Sequence, residues 1–417
     1  MRVLYLSPPA RRAGTKLGRY SFLHEEIEGL AGRGLEVFIL AHNPAPPVPR
    51  GVQVQTIGET LSAAELRGMV QLLASQAGLI PGLHLLKPRT LLQALRIENL
   101  AARTIRAHQI DVIHSHFGWP KGFGGLLASR ATGAPLAASL HGADVLVDRT
   151  IGYGRRRDRG FARAIRVLLA NASRTIYYSD FMRKEGLRLG ARVDSARVIY
   201  WGTDVEAFAG NVRCDELRAE LGLQKAPMLL AVAGLIERKG VDKVLQALAL
   251  LQEKYAFTFV VCGDGPELNH LQQLTETIGL RDRVRFAGRI DRALMPKYFA
   301  AADVFLHGAL TEAAGIVLIE AMASGCPVVC TDAGGPAEYV EHGVTGFVVP
   351  VGDSVAMASR IAWLLDHPEE AARFGEAGRR RAVERFGRQR MLDEVIAEYD
   401  ELASSRDPHD AAAVPAG

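Results

Sequence analysis

Two carboxylates, Glu312 and Glu320, stand at the ends of the stretch EAAGIVLIE, whose seven intervening residues carry no charge and no hydrogen-bonding side chain. In a continuous helix the two acids would lie ~12 Å apart, at ~1.5 Å of rise per residue. That separation exceeds the ~5–9.5 Å between the paired carboxylates of glycosidases. The spacing therefore favours two acids that hold opposite ends of one ligand, Glu312 at hydroxyl groups and Glu320 at a vicinal diol such as ribose. Two solvated surface acids are the alternative.

The apolar residues between the two acids predict a helix that begins near Gly315 and packs on a sheet. A glycine at this position lets a ligand approach the backbone closely. The N–H groups of Gly315, Ile316 and Val317 would have no partner within the helix. Free N–H groups at a helix start, together with the helix dipole, predict a binding site for an anion.

A lysine lies between a predicted strand and a predicted helix in the segment AVAGLIERKGVDK. The strand is expected to end at Gly234 and the helix to begin near Gly240, which places Lys239 at the turn. A lysine ammonium is a compact cation suited to phosphate charge. The neighbouring Arg238 is expected to point elsewhere, and a surface lysine without function is the alternative.

Two further segments place glycine, arginine and backbone groups after predicted strands. VVCGDGPE contains a tight turn that begins at Gly263, although Asp-Gly turns are common and the signal is weak. In FAGRI, Arg289 and Ile290 follow a strand end, where backbone groups can contact a flat base. An ordinary strand-to-helix turn explains either segment equally well.

Three histidines and two glycines stand out in the first half of the chain. In SLHGADV, His141 follows a strand and could hydrogen-bond a sugar hydroxyl or stabilise charge, whereas a capping or core histidine is the common alternative. His114 and His116 share one face of a strand, but the sequence offers no third metal ligand. The chain has no Asp-x-Asp, which argues against a metal-bridged diphosphate. Gly14 and Gly18 follow the first strand without forming G-x-G-x-x-G, so ordinary dinucleotide binding is disfavoured.

These residues require elements that bring them to one edge of a sheet. Short apolar runs such as RVLYLS, EVFIL, DVIHSHF, MLLAVAGL and DVFLHG recur along the chain, and such runs are typical of strands in parallel sheets. They alternate with segments of helical periodicity at Ser21–Arg33, Val241–Lys254, Glu267–Ile278, Met295–Ala301 and Ile316–Ala323. The alternation predicts doubly wound α/β structure, in which ligands bind beyond the carboxyl ends of the strands.

Two such series predict two Rossmann-like domains that face each other across a cleft. The expected segments are an N-terminal acceptor domain at 1–205, a connector at 206–226, a C-terminal donor domain at 227–387 and a disordered tail at 405–417. The last helix, at about 388–404, has no strand after it and is expected to pack back on the first domain. Residues 60–105 are expected to be mostly helical.

Composition limits the classes of function. Fifty basic and 46 acidic residues give a net charge of +4, and 23% charged with 48% hydrophobic residues is typical of a globular protein. The four cysteines form no Cys-x-x-Cys, which favours reduced thiols, with Cys262 and Cys326 buried, and a cytosolic protein. No run approaches ~18 apolar residues, so no membrane span is expected, and the N-terminus is expected to be a strand rather than a signal peptide.

An arginine cluster occupies the segment RRRDRGFARAIR, between Arg155 and Arg166. Such a run is commonly a solvated face. The alternative is contact with an anionic acceptor or with lipid headgroups. We expect no nucleic-acid partner.

The motifs follow one another in the order HGAD, WGTDVEAF, ERKG, GDGPE, FAGRI, E…GIVLIE and DAGGPAEYV. This order resembles the retaining nucleotide-sugar glycosyltransferases of sequence family four, which have the GT-B fold. The resemblance covers about residues 1–400 and is strongest over 228–352. The segments IHSHFGWP and SLHGADV resemble the exopolysaccharide and lipopolysaccharide branch of the family.

The resemblance implies roles for individual residues. The implied catalytic residues are His141 beside the sugar, Lys239 at the donor diphosphate and Glu312 at the hydroxyls of the transferred sugar. The implied donor-binding residues are Gly14, Gly234, Gly263, Arg289, Ile290, Gly315, Ile316, Val317 and Glu320. Family members commonly carry an arginine at the position of Gly234, so either Arg238 or another arginine substitutes, or donor binding is weaker. Ala313 and Ala314 stand where family members commonly have Gly or Ser and a bulky aromatic residue, which implies a roomier donor-sugar pocket.

The resulting hypothesis is a retaining, metal-independent glycosyltransferase without a cofactor. It would move a sugar from a UDP- or GDP-sugar to a saccharide or lipid-linked acceptor, at the inner face of the cytoplasmic membrane, in polysaccharide or glycolipid biosynthesis. A GT-B nucleotide-sugar epimerase and a non-catalytic partner protein with a decayed site are the alternatives.

Overall fold

The apolar runs form two parallel sheets in the computed structural model, which describes residues 1–6, 21–41, 51–56, 88–208, 214–223 and 226–405. The chain divides into two compact units: Met1–Ile199 with Leu392–Gly417, and Tyr200–Met391. The stretch predicted as a connector, 206–226, therefore falls within the second unit. Of the predicted tail 405–417, only Ser405 is among the described residues.

The first unit contains a seven-stranded parallel sheet in the order β3-β2-β1-β4-β5-β6-β7. Its strands are β1 (Arg2–Leu6), β2 (Glu36–Ala41), β3 (Val52–Thr56), β4 (Val112–His116), β5 (Leu136–Ser139), β6 (Arg174–Tyr177) and β7 (Ala196–Val198). Its described helices are α1 (Ser21–Gly32), α2 (Pro88–His108), α3 (Phe123–Thr132), α4 (Gly142–Val145), α5 (Arg159–Asn171) and α6 (Asp180–Arg188).

The second unit contains a six-stranded parallel sheet in the order β10-β9-β8-β11-β12-β13. Its described helices before the sheet are α7 (Val205–Phe208) and α8 (Asp215–Glu220). The strands are β8 (Met228–Val232), β9 (Thr258–Cys262), β10 (Val284–Gly288), β11 (Val304–His307), β12 (Val328–Thr331) and β13 (Gly346–Val349). The further helices are α9 (Val241–Ala249), α10 (Leu268–Thr277), α11 (Met295–Ala301), α12 (Ile316–Ala323), α13 (Pro336–Tyr339), α14 (Ser354–Asp366) and α15 (Pro368–Phe386).

The strands form where the sequence predicts them because both of their faces are covered. Every residue of β4, β5, β11 and β12 is buried, as expected for strands of a parallel sheet. The predicted helices also form, although α9 ends at Ala249 rather than at Lys254. The strand β3, VQVQT, was not predicted because its glutamines interrupt the apolar run. Part of the region 60–105 is one helix, α2, and residues 57–87 lie outside the described part of the chain.

The last helix, α16 (Arg388–Ser404), belongs to the first unit from Leu392 onwards. Glu398 on this helix accepts hydrogen bonds from Arg174 at 2.7 Å and from Arg197 at 3.1 Å. The Tyr399 hydroxyl contacts the imidazole of His114 on β4. Side chains from the end of the chain thus complete the core around the first sheet.

The four cysteines are free thiols. Cys262, Cys326 and Cys330 are buried, and burial raises the pKa of the Cys262 thiol to about 12. The prediction of buried reduced thiols is confirmed. Among the described helices, we find none with both the length and the apolar character that a bilayer span requires.

Candidate active site

The second sheet brings Lys239 and Glu312 into direct contact at its carboxyl edge. Lys239 follows β8 and Glu312 follows β11, and these two strands are neighbours in the sheet. The Lys239 ammonium donates a hydrogen bond to Oε2 of Glu312. Nη1 of Arg238 lies 3.3 Å from the same oxygen and donates to the Thr311 carbonyl at 2.8 Å. Arg238 therefore points into the site, and the expectation that it points elsewhere was wrong.

The Glu312 carboxylate is ionised and partly withdrawn from solvent. Its side chain is 10% exposed, against 18% for Lys239 and 17% for Arg238. Burial alone would raise the pKa of Glu312, but the positive charges of Lys239 and Arg238 outweigh burial and hold that pKa well below its usual range. Burial lowers the pKa of the Lys239 ammonium, and the Glu312 charge opposes this effect. The result is a compact charged cluster. Its carboxylate can accept hydrogen bonds from hydroxyl groups, and its two cations can attract an anion.

His307 adds an uncharged imidazole beneath this cluster. It ends β11 and is buried, with Nε2 3.8 Å from Oε2 of Glu312. Neither ring nitrogen has a hydrogen-bond partner among the described residues. Burial and the nearby Lys239 charge lower the pKa of His307 to about 4. Sequence reasoning did not single out His307, although its place at a strand end in DVFLHG was a signal that could have identified it.

The helix start predicted after Glu312 is present. Glu312 lies in the loop, fixed by its N–H to the Ala333 carbonyl at 2.9 Å, and α12 begins at Ile316. Gly315 has φ 107, a conformation that favours glycine. Within the described part of the chain, the N–H groups of Gly315, Ile316 and Val317 have no backbone acceptor. These donors form the arrangement that the sequence predicts for an anion site.

Glu320 lies further along α12 and is buried, with 3% of its surface exposed. Its Oε1 accepts a hydrogen bond from Nη1 of Arg292 at 2.6 Å. The side chain of Arg292 is 35% exposed, and its guanidinium lies 5.8 Å from the centre of the Phe208 ring. Arg292 was not predicted as a site residue. The predicted base-binding residues lie just before it, Arg289 exposed and Ile290 half-buried, directly after β10.

The two glycines at strand ends, Gly263 and Gly234, differ in whether the surrounding structure requires a glycine. Gly263 has φ 149, and a Cβ there would lie 1.7 Å from the Ala233 carbonyl oxygen. Its N–H also donates to the Gly288 carbonyl at 2.7 Å. Glycine is thus required at 263 by the close approach of two strand ends. At Gly234, by contrast, no atom lies within 4 Å of the position of a Cβ, so a larger side chain would fit.

His141 follows β5 in the first unit and precedes the short helix α4. Its backbone N–H donates to Oδ2 of the buried Asp144 at 3.0 Å. The ring stacks on Phe117, with centroids 4.0 Å apart at 22°. Burial, followed by the neighbouring His116, lowers the pKa of His141 well below its usual value, which keeps the imidazole neutral. Gly14, and Gly18 with it, lies outside the described residues.

His114 and His116 are both fully buried on β4, and the structure supplies the third group that the sequence lacked. Glu26 on α1 lies beside them, and one ligand atom of each of the three residues falls within 4.8 Å of the others. Both nitrogens of each ring already have protein partners, which are Tyr399 and Ser139 for His114, and Tyr5 and His141 for His116. The imidazoles would have to give up these contacts to bind an ion.

Comparisons with known proteins decide the family. Residues 21–207 match the family described as Glycosyltransferase Family 4, and residues 214–381 match the family described as Glycosyl transferases group 1. The chain is 30% identical over 298 residues to a GDP-mannose-dependent alpha-(1-6)-phosphatidylinositol monomannoside mannosyltransferase of Mycolicibacterium smegmatis, covering 68% of this chain and 75% of that protein. The chain belongs to glycosyltransferase family 4.

Other similarities of this glycosyltransferase extend over nearly its whole length. The alpha-D-kanosaminyltransferase of Streptomyces kanamyceticus is 29% identical over 90% of this chain and 97% of its own length. Sucrose-phosphate synthase from Thermosynechococcus elongatus superposes with a TM-score of 0.77, at 22% identity, over 97% of this chain and 99% of that one. Anabaena HepE, solved with UDP, has a TM-score of 0.74 at 23% identity, over 96% and 100%. The predicted GT-B class, α/β with two Rossmann-like domains, is confirmed.

Proposed function

We propose that this glycosyltransferase moves a sugar from a nucleoside-diphosphate sugar to a saccharide or lipid-linked saccharide, with retention of anomeric configuration. One observation carries the proposal. Two cations, Lys239 and Arg238, meet Glu312 at the strand edge of the second unit, in the loop that leads to the free N–H groups at the start of α12. Cations and helix-start donors suit a diphosphate, and a carboxylate among them suits sugar hydroxyls.

The donor in this proposal is a UDP- or GDP-sugar. The M. smegmatis relative is named for its dependence on GDP-mannose, and Anabaena HepE was solved with UDP. Glu320 would hold the ribose, steadied by its ion pair with Arg292. Arg289 and Ile290 would flank the base. No cofactor is required, because the donor itself carries the activated sugar.

In the proposed reaction the bond between the anomeric carbon and the β-phosphate oxygen breaks. The acceptor oxygen bonds to the same face of that carbon, and its proton passes to the leaving phosphate. Lys239, Arg238 and the helix-start N–H groups stabilise the charge that develops on the diphosphate. Lys239 and Arg238 would neutralise the diphosphate charge that a metal ion neutralises in metal-dependent enzymes. We therefore propose that the reaction is independent of metal. His141 takes the role beside the sugar that the family resemblance implies.

The acceptor and location are proposed from the arginine cluster of the first unit. Arg155 and Arg156 are bound to the protein, donating to the carbonyls of Trp119 and Val145. Arg159, Arg163 and Arg166 are exposed on α5. An exposed basic helix face suits anionic lipid headgroups. We propose a lipid-linked acceptor at the inner face of the cytoplasmic membrane, in cell-surface polysaccharide or glycolipid biosynthesis.

A thermal-shift panel of nucleotide sugars tests the donor, because a ligand that binds the folded protein raises its melting temperature. The stabilising donor is then incubated with and without a panel of saccharide acceptors, and the anomeric configuration of the product is read by NMR. Acceptor-dependent release of nucleotide with retention, unaffected by EDTA, is the expected result. Isomerised donor without acceptor would indicate an epimerase, and absence of both binding and release would indicate a non-catalytic protein.

Flotation with vesicles that contain anionic lipid tests the membrane contact. Replacement of Arg159, Arg163 and Arg166 by Gln should abolish co-flotation at low salt. The matched control replaces three arginines that pair with acids elsewhere: Arg188, Arg373 and Arg380. It removes the same charge and should leave flotation intact. Equal loss in both triple variants would mean that net charge, not this helix face, governs binding.

A further inference from the structure

A line of buried hydrogen bonds extends from His141 into the core of the first unit. Nε2 of His141 lies 3.2 Å from Nδ1 of His116, and Nε2 of His116 lies 2.5 Å from the Tyr5 hydroxyl. Tyr5 in turn hydrogen-bonds the carboxyl group of Glu26, and its ring stacks on His116 at 4.9 Å. Four side chains from α1, β1, β4 and the β5–α4 loop are thus joined in one chain of polar contacts.

Both imidazoles in this line are neutral. Burial lowers the pKa of His116 to about 3, and burial together with the other histidines lowers that of His141. A neutral imidazole has one N–H donor and one bare acceptor nitrogen, so each hydrogen bond fixes the direction of the next. The order of protons along the line therefore decides which nitrogen of His141 carries hydrogen.

The direction follows from the carboxyl end. Burial raises the pKa of Glu26 and the hydrogen bond with Tyr5 lowers it, which assigns the Tyr5 hydroxyl as the donor to Glu26. With that assignment, the Tyr5 oxygen is left to accept from Nε2–H of His116. Nδ1 of His116 is then bare and accepts from Nε2–H of His141. By elimination, Nδ1 of His141 is the bare acceptor. The hydrogen bond made by one ring nitrogen commonly sets which nitrogen of a functional histidine carries the proton.

The backbone beside His141 is strained in a way that also fixes the ring. Phe117, which stacks on His141, has φ 70, a left-handed conformation that is unfavourable for a residue with a side chain. Its N–H donates to the Ser139 carbonyl at 3.0 Å, which ties it to β5. Strain of this sort concentrates where side chains must be held in place for function. The His141 ring is thus held by a hydrogen bond at one edge and an aromatic face on one side.

We propose that His116, backed by Tyr5 and Glu26, is a positioning residue that holds His141 in the tautomer with a bare Nδ1, ready to accept a hydrogen bond from a hydroxyl of the transferred sugar. The inference rests on the proposed function in assigning the sugar contact. His116 itself touches no substrate. The other tautomer of His141 would donate its N–H to the hydroxyl oxygen instead. The direction of that hydrogen bond would be reversed, and the hydroxyl proton would have no acceptor on this ring.

Heteronuclear NMR of histidine-labelled full-length protein tests the tautomer directly. In the unmodified protein, His141 and His116 should each show a protonated Nε2 and a bare Nδ1, with His141 assigned by loss of its signal in His141→Gln. A protonated Nδ1 on His141 would overturn the proposal. This result does not depend on finding a donor, so it is decided even where no transfer is observed and the proposed function fails.

Activity variants separate positioning from folding. His116→Gln removes the acceptor of His141 and should lower kcat about tenfold with KM for the donor changed less than twofold, since misorientation costs rate rather than binding. His114→Gln is the matched control, because His114 is equally buried on the same strand and hydrogen-bonds Tyr399 and Ser139 instead. It should keep kcat within about twofold and leave the His141 signals unchanged. Equal losses of kcat in the two variants would contradict a positioning role.

A more conservative pair of variants tests the same point if His116→Gln does not fold. Tyr5→Phe removes only the hydroxyl that accepts from His116, and Tyr399→Phe removes the corresponding hydroxyl beside His114. Tyr5→Phe should shift the imidazole signals of His116 and His141 and lower kcat two- to threefold. Tyr399→Phe should do neither. Unchanged His141 signals in Tyr5→Phe would show that the line of contacts does not control its tautomer.

Discussion

The side chains at the carboxyl edges of the two sheets differ in charge. In the second unit, Glu312 is ionised between Lys239 and Arg238, all three partly reached by solvent. In the first unit, His116 and His141 are kept neutral by burial and joined by hydrogen bonds. A charged cluster can bind and stabilise an anion, whereas a neutral network can only fix direction. In the proposed reaction, the second unit would supply donor affinity and charge stabilisation, and the first unit would supply orientation.

The largest effect should come from removing the ammonium of the charged cluster. Lys239→Ala is expected to lower turnover about 10²-fold or more, as loss of a preorganised electrostatic contact does. Steady-state kinetics with the donor found by thermal shift measures this change. Lys243→Ala is the matched control, because Lys243 lies on α9 and pairs with Asp242. Unchanged turnover in Lys239→Ala would remove the ammonium from the mechanism and erase the contrast between the units.

A buried lysine tests whether the first unit really disfavours charge. Lys121 follows β4, is 5% exposed, and its Nζ has no hydrogen-bond partner among the described residues. Burial lowers the pKa of Lys121 to about 7 from the ordinary 10.5. Between these values the unfolded chain binds a proton that the folded protein does not, so the free energy of unfolding rises with pH from about 7 to about 10.5. Below pH 7 the buried charge is fully destabilising.

Lys121→Met should therefore stabilise the protein by about 2–4 kcal/mol at pH 6, and the gain should shrink as pH rises towards 10. Urea unfolding at pH 6 and pH 9 measures both gains. Lys184→Met is the control in the same unit, since the side chain of Lys184 is 65% exposed. A gain of equal size at both pH values would show that packing, not charge, limits stability at this position.

A third prediction concerns the acid at the far end of α12. Glu320→Ala should weaken nucleotide binding about tenfold, the loss of one charged hydrogen bond, while turnover at saturating donor changes less. Isothermal titration with the free nucleotide measures the dissociation constant. Glu376→Ala is the control, because Glu376 is an exposed acid on α15. If Glu320→Ala binds nucleotide like the parent, the ribose assignment is wrong and its ion pair with Arg292 is purely structural.

The smallest effect should come from adding a cation to the charged cluster. Gly234→Arg fills space that is open around the Cβ position and supplies the arginine that the family resemblance implies there. It should tighten nucleotide-diphosphate binding severalfold, by less than the ~1.4 kcal/mol that a tenfold change requires. Gly234→Leu adds similar bulk without charge and should give no gain. An equal gain in both variants would attribute the effect to packing.

Features that depend on neighbours in sequence were predictable, and contacts between distant segments were not. The sequence placed Lys239 at a strand end and Glu312 before a helix start, because strand ends and helix starts have local signals. It did not predict that Arg292 pairs with Glu320, 28 residues away. Nor did it find Glu26 beside the β4 histidines, because that contact exists only once α1 packs on the sheet. Sequence reasoning thus missed the supporting residues Arg292, Glu26 and His307, and it was wrong about the direction of Arg238, which meets Glu312.

The path of the chain has a consequence for synthesis. The first unit is completed by α16, whose Glu398 and Tyr399 contact Arg174, Arg197 and His114. On a ribosome those partners emerge long before the helix that they require, and the entire intervening unit is made first. The N-terminal unit therefore cannot reach its final packing until Glu398 and Tyr399 have left the ribosome. A stop codon placed just before Leu392 would damage the unit that is synthesised first.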